Sequence, residues 1–203
     1  MKIVSLPVSG YASNCYLMIS GSEALIVDPS ASLDILRDAA EKEKVHPIGI
    51  VLTHAHYDHL LTLEPVREAF GCPVYIHSAD AEALGDPVRN VSGSLFRTPQ
   101  RWKEADILLE EGSTIPVGDE RVSVLHTPGH TPGCICLRCG EILISGDTIF
   151  AHGYGRFDLP GGDAAVLAKT LHSLAGMDPD LIIYPGHGPS ARLGDALRRL
   201  GIG

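Results

Sequence analysis

The chain has 203 residues and a formal net charge of −9, long enough to bury a sizeable core and too acidic for a surface that tracks phosphates. Hydrophobic residues make up 44% and charged residues 20%, ordinary globular usage, and no apolar run approaches the ~20 residues that span a bilayer. These figures argue against nucleic-acid and membrane partners and lead to the expectation of one domain over residues 1–203. The N-terminal Met-Lys-Ile-Val-Ser-Leu-Pro runs straight into strand-like sequence, too short for a signal peptide, and the five cysteines are an odd number. Reduced thiols and a cytoplasmic location are expected.

Residues 2–8, 14–20 and 24–28 are short apolar runs broken by turn residues, which predicts an antiparallel meander. A helix is predicted from Ser32, as N-cap, to about Lys44, ending before Pro47. Ile48–Leu52 reads as a buried strand, Leu60–Phe70 as a helix, Val74–His77 as a strand and Ser78–Leu84 as a short helix. Gly85–Lys103 has no period and carries Arg89, Arg97, Arg101, Lys103 and Trp102, so it reads as a lid or mobile segment. Strands are predicted at Asp106–Leu109, Val122–His126, Cys134–Leu137 and Ile142–Ser145, with a turn at Arg138–Gly140. A helix capped by Asp163 to Leu174, a strand at Leu181–Tyr184 and an amphipathic helix marked by Leu193, Ala196, Leu197 and Leu200 close the chain.

Chemistry concentrates in Thr53-His-Ala-His-Tyr-Asp-His59, just after a predicted strand. Neutral imidazoles and carboxylates are ligands for zinc and iron, and strand ends in α/β sheets are where sites gather. His130 in Gly129-His-Thr-Pro-Gly133, Asp147 in Ser145-Gly-Asp-Thr148 and His187 in Pro185-Gly-His-Gly188 each stand at or near a later strand end. Together they supply five histidines and two aspartates, enough for two divalent metals.

In the order and spacing of these motifs the chain resembles the metallo-β-lactamase superfamily, and within it the glyoxalase II-like hydrolases. The resemblance implies an α/β fold, an αββα sandwich of two mixed sheets flanked by helices. It implies that His54, His56 and His130 hold a first metal, that Asp58, His59 and His187 hold a second, and that Asp147 bridges them. Asp58 and Asp147 would take part in catalysis, and Asp28 would sit behind the ligands and support their loop. Two divalent ions, zinc by expectation with iron or manganese as alternatives, would generate hydroxide to attack a small-molecule thioester such as S-lactoylglutathione.

Departures from the family pattern refine this. Asp147 stands where metallo-β-lactamases usually have Cys or Ser, which weighs against a lactamase. The chain ends soon after His187, so the helical extension that binds glutathione is expected to be missing. Gly153-Tyr-Gly-Arg-Phe-Asp158 keeps a cation at Arg156 but has Asp158 where the family has Tyr, which counts against glutathione as the carrier. Arg156 and Tyr154 are predicted to contact substrate, Arg156 by clamping a carboxylate or, alternatively, by pairing with Asp158 or Asp163 to pin the loop. Tyr57 and His152 are candidates for the pocket wall, and Cys134, Cys136 and Cys139 read as buried or turn thiols. The competing enzyme is a persulfide dioxygenase with one iron on His54, His130 and Asp147; a non-catalytic metal-stabilised module ranks below it.

Overall fold

The computed structural model describes residues 1–202. Strands β1 (Lys2–Leu6), β2 (Cys15–Ser20) and β3 (Glu23–Val27) form the predicted meander, all antiparallel. Helix α1 (Leu33–Glu43) starts where the Ser32 side chain accepts from the Ile35 N–H and stops at Lys44, which adopts a left-handed conformation. It returns the chain to β4 (His46–Val51), parallel to β3. Helix α2 (Leu63–Phe70) begins later than the predicted Leu60, and Tyr57–His59 winds as a single 3-10 turn inside the ligand loop. After β5 (Val74–His77) and the one-turn α3 (Ser78–Ala81), residues 86–103 contain no helix or strand, and β6 (Ile107–Leu109) completes a first sheet in the order β1-β2-β3-β4-β5-β6.

The second sheet comprises β7 (Thr114–Val117), β8 (Glu120–His126), β9 (Ile135–Cys139), β10 (Ile142–Gly146), β13 (Ile182–Pro185) and β14 (Ala191–Arg192), in the order β14-β13-β10-β9-β8-β7. The ribbon β11 (Ile149–Phe150) and β12 (Gly153–Tyr154) stands apart from it. Strand β9 runs through Arg138, so the hairpin turns at Gly140–Glu141, one step beyond the predicted turn. Helix α4 (Ala164–Leu174) is capped as predicted by Asp163, which accepts from the Ala165 and Val166 N–H groups, and α5 (Leu193–Arg199) follows β14.

The pleat sorts side chains into three apolar layers. On β2, Cys15, Leu17 and Ile19 face α1 and α2, whereas Tyr16 and Met18 face the other sheet. On β10, Ile144 packs between the sheets and Leu143 packs under α4 and α5. The result is helix, mixed sheet, mixed sheet, helix: the αββα sandwich expected from the sequence. No helix among the described residues is long and apolar enough to cross a membrane.

Candidate metal centre

The carboxyl ends of β3, β4, β8, β10 and β13 meet at one edge of the sandwich and deliver the predicted residues together. Asp28 follows β3 in a left-handed conformation, φ 50°. That geometry turns its carboxylate onto the loop after β4: Oδ1 accepts from the Thr53 N–H at 2.8 Å and Oδ2 from the Thr53 hydroxyl at 2.7 Å. His59 Nδ1 lies 2.8 Å from the same Oδ2, so it donates there and leaves Nε2 bare. His54 Nδ1 contacts the Thr53 hydroxyl at 3.2 Å, and His130 Nδ1 donates to the Arg156 carbonyl at 2.5 Å. Each second nitrogen thus fixes the tautomer that points the first one inward.

Those inward atoms form three overlapping groups, His54/His56/His130, His54/His59/Asp147 and Asp58/His59/His187, each with its ligand atoms within 4.8 Å of one another. Asp147 lies between the outer two, with Oδ1 3.4 Å from His59 Nε2 and Oδ2 3.6 Å from both His130 Nε2 and His187 Nε2. His187 Nε2 also approaches Asp58 Oδ2 at 3.1 Å. The Nε2 atoms of His54, His56 and His59 and the Oδ1 of Asp147 are buried with no hydrogen-bond partner among the described residues. Orphaning so many polar atoms in one place is costly for a fold unless a cation completes them, and the donor set suits zinc, iron or manganese.

Electrostatics splits the constellation in two. Burial keeps His54 well below the usual imidazole range and His56 down at about 3, so both rings are neutral and ready to ligate. Burial also opposes a charge on His59, but the carboxylates of Asp28, Asp147 and Asp58 outweigh it and raise that ring well above its ordinary value. His187 rises for a similar reason: its bond to Asp58 and the field of Asp147 overcome burial. Burial likewise pushes Asp58 and Asp147 up, yet the facing imidazoles of His59 and His187 bring both below the ordinary carboxylate range.

These directions fix how metal-free stability depends on pH. The depressed carboxylates add stability that is present above their unfolded values and is lost as pH falls through the folded ones. The raised histidines add stability that is full below about 6.5 and is lost as pH climbs through their raised values. Thermal melts in chelator should therefore peak between these ranges and decline on both sides. A melting temperature flat from about pH 5 to 9 would contradict the coupling.

Glycines let these loops approach. A Cβ at Gly186 would stand 2.1 Å from Asp147 Oδ1, and one at Gly155 2.0 Å from the Asp147 carbonyl. A residue that sequence reasoning missed is Asp80, read only as part of a short helix. Its buried Oδ2 accepts from the Ala55 N–H at 3.2 Å and the Thr131 hydroxyl at 2.7 Å, and its Oδ1 accepts from the Gly133 N–H at 2.7 Å. Asp80 thus ties the His54–His56 loop to the His130 loop as Asp28 ties Thr53 to His59. The available signal was Gly133, where a Cβ would lie 2.6 Å from the Asp80 backbone.

A cavity of about 340 Å³ opens over the centre and is lined by His56, Asp58, His130, Asp147 and His187 together with Val91, Leu95, Phe96, Phe150, Tyr154, Gly155, Arg156 and Leu159. Tyr154 and Arg156 line this cavity, but the Arg156 guanidinium makes two bonds to Asp158, at 2.7 and 2.8 Å. The loop-pinning alternative is the pairing present. His152 is exposed and absent from the lining, and Tyr57 packs among Tyr11, Phe96 and Trp102 instead of facing the cavity. All five cysteines are free and buried, and burial raises Cys15 to about 12 and Cys136 to about 11, which makes both inert thiols.

An αββα sandwich that gathers three overlapping groups of His and Asp side chains able to hold a metal ion at one edge defines the class of protein. The chain belongs to the metallo-beta-lactamase superfamily, whose sequence pattern matches residues 8–187. It is 35% identical over 192 residues to the probable metallo-hydrolase YqgX of Bacillus subtilis, with 93% of this chain and 91% of that protein covered. Among solved structures, the BLEG-1 B3 metallo-beta-lactamase superposes with a TM-score of 0.91 at 34% identity, covering 97% of both chains. TTHA1623, solved in a di-iron-bound form, superposes with a TM-score of 0.84 at 31% identity, covering 97% of this chain and 98% of its own.

Proposed function

We propose that this protein is a metal-dependent hydrolase that cleaves a thioester. In this reading His54, His56 and His130 hold one divalent ion, Asp58, His59 and His187 hold a second, and Asp147 serves both. The observation that carries it is Asp147, whose carboxylate lies 3.4–3.6 Å from His59, His130 and His187 and has one buried oxygen without a partner among the described residues. A di-iron form of one relative and the metallo-hydrolase description of another support it. Ions bound there would lower the pKa of a water toward neutrality and draw electrons from a carbonyl oxygen.

The chain's own residues do the rest. Asp58, kept ionised by His59 and His187, lines the cavity and orients the attacking water by accepting its hydrogen bond. Among the described residues, Tyr154 and Arg156 are the only side chains beyond the ligand set that bring an O–H or N–H to the lining, and the guanidinium does not give up its proton. A thiolate departs without being protonated, whereas an amide nitrogen needs a proton, so this wall suits a thioester better than an amide.

The likeness to a B3 metallo-beta-lactamase keeps a β-lactam as the second reading, despite Asp147. A single-iron dioxygenase would need only His54, His130 and Asp147, and the complete Asp58, His59 and His187 group favours hydrolysis. The test compares a thioester, a chromogenic β-lactam and glutathione persulfide under oxygen monitoring. Thiol release without oxygen uptake is expected. Faster lactam opening would promote the second reading, and stoichiometric oxygen consumption with the persulfide would overturn hydrolysis.

A further inference from the structure

The cavity wall has a chemistry of its own. Val91, Leu95 and Phe96 close one side, all from the segment after α3, and Phe150 and Leu159 lie among the other lining residues. Leu95 and Tyr154 are 46% and 43% exposed, so apolar surface is held open at the mouth instead of being packed away. Among the described residues the only Lys or Arg in the lining is Arg156, and its guanidinium is already engaged by Asp158. The carboxylates of Asp58 and Asp147 face the same space.

The segment bearing the first three residues is built to hold that position. Asn90 is fully buried; its amide donates to the carbonyls of Ala83 at 3.1 Å and Gln100 at 3.2 Å, and its side-chain oxygen accepts from the Ser92 hydroxyl at 2.6 Å. The Asn90 carbonyl accepts from the Tyr57 N–H at 2.9 Å, which ties the segment to the loop carrying Asp58 and His59. Val91 follows with φ 59°, a left-handed conformation that a β-branched residue rarely adopts. Backbone strain of this kind persists where the surroundings over-determine it, typically beside a binding site. Phe96 is backed by Tyr11 and Tyr57, with ring centroids 4.8 and 5.0 Å away.

We infer that Val91, Leu95, Phe96, Phe150 and Leu159 form an acyl subsite, and that the natural substrate is a thioester of an uncharged, apolar acyl group. This rests on the hydrolase reading and deepens it. At about 340 Å³ the cavity sits at the small end of the ~300–1,000 Å³ of ligand sites, which admits the reacting bond and a short apolar chain. A long polar thiol carrier stays at the open mouth. An acyl group ending in a carboxylate would meet apolar carbon and a guanidinium already engaged by Asp158.

The experiment uses the metal-loaded full chain with neutral N-acetylcysteamine thioesters whose saturated acyl chains run from two to eight carbons. Calorimetric titration of the matching ketones, which cannot be hydrolysed, supplies a binding readout independent of turnover. Both kcat/KM and ketone affinity should climb about two- to four-fold per added methylene until the cavity fills, the upper figure corresponding to ~0.8 kcal/mol. A terminal carboxylate on the acyl chain should cost at least about ten-fold. Leu95→Ser, at an exposed position, should flatten the chain-length slope without changing metal content or melting temperature. Cleavage with no chain-length slope, or a preference for the carboxylate-bearing acyl group, would overturn the subsite while leaving the hydrolase reading standing. Ketones that bind with the slope beside thioesters that are not cleaved would keep the subsite and remove the hydrolase reading.

Discussion

Asp147→Ala is expected to lower turnover by at least about 10³-fold, well beyond the roughly 10–100-fold attached to residues that merely support ligands. The reason is position. Asp147 is within 3.4–3.6 Å of His59, His130 and His187, and its Oδ1 has no partner of its own among the described residues. In the proposed two-metal centre, removing the carboxylate takes a ligand from both ions at once and leaves the facing imidazoles without their anion. Metal content should fall with activity, because the proposed centre uses one carboxylate for both ions. A variant that kept full turnover would show that Asp147 is a structural acid and that the two ligand groups are independent.

The second large effect is expected at Asp28, which touches no cavity residue other than through the loop it holds. Asp28→Asn keeps a side chain that tolerates the left-handed backbone at φ 50°, so the change tests the charge and not the turn. It weakens three contacts to one carboxylate: from the Thr53 N–H, the Thr53 hydroxyl and His59 Nδ1. Metal affinity should drop about 10–100-fold, with the loss concentrated in the Asp58, His59 and His187 group. The imidazole of His59 should titrate lower in the metal-free variant, because Asp28 is the first carboxylate holding it up. Proton-detected titration of that ring distinguishes this from general unfolding, which would return every histidine to its ordinary value together.

Why these residues were legible in the sequence, and others were not, follows from range. The ligands announce themselves because each follows a strand-like run and several are flanked by glycines, all local features. The helix caps at Ser32 and Asp163 were readable for the same reason, since an N-cap bonds to amides two or three residues on. Strand β7 escaped because it is short, sits at the sheet edge and contains Pro116, which interrupts strand patterning. The two-residue strands β11, β12 and β14 are too short to show alternation.

What lay out of reach was partnership across the chain. Nothing local distinguishes Asp80, whose bonds reach 25 to 53 residues away, or Asn90, which organises the segment after α3 through its side-chain amide. The sequence left Arg156 between a substrate contact and a pairing with Asp158 or Asp163, and the fold shows that Asp158 takes its guanidinium. His77 and His126 likewise stack at 4.0 Å from strands of different sheets, a pairing no pattern in the chain encodes.

Counting metal on the purified protein tests the central claim most directly. The account predicts two divalent ions per chain, falling to one in His187→Ala, where the His54, His56 and His130 group is untouched. A single ion in the native protein at full activity, unaffected by His187→Ala, would contradict a shared site built around Asp147.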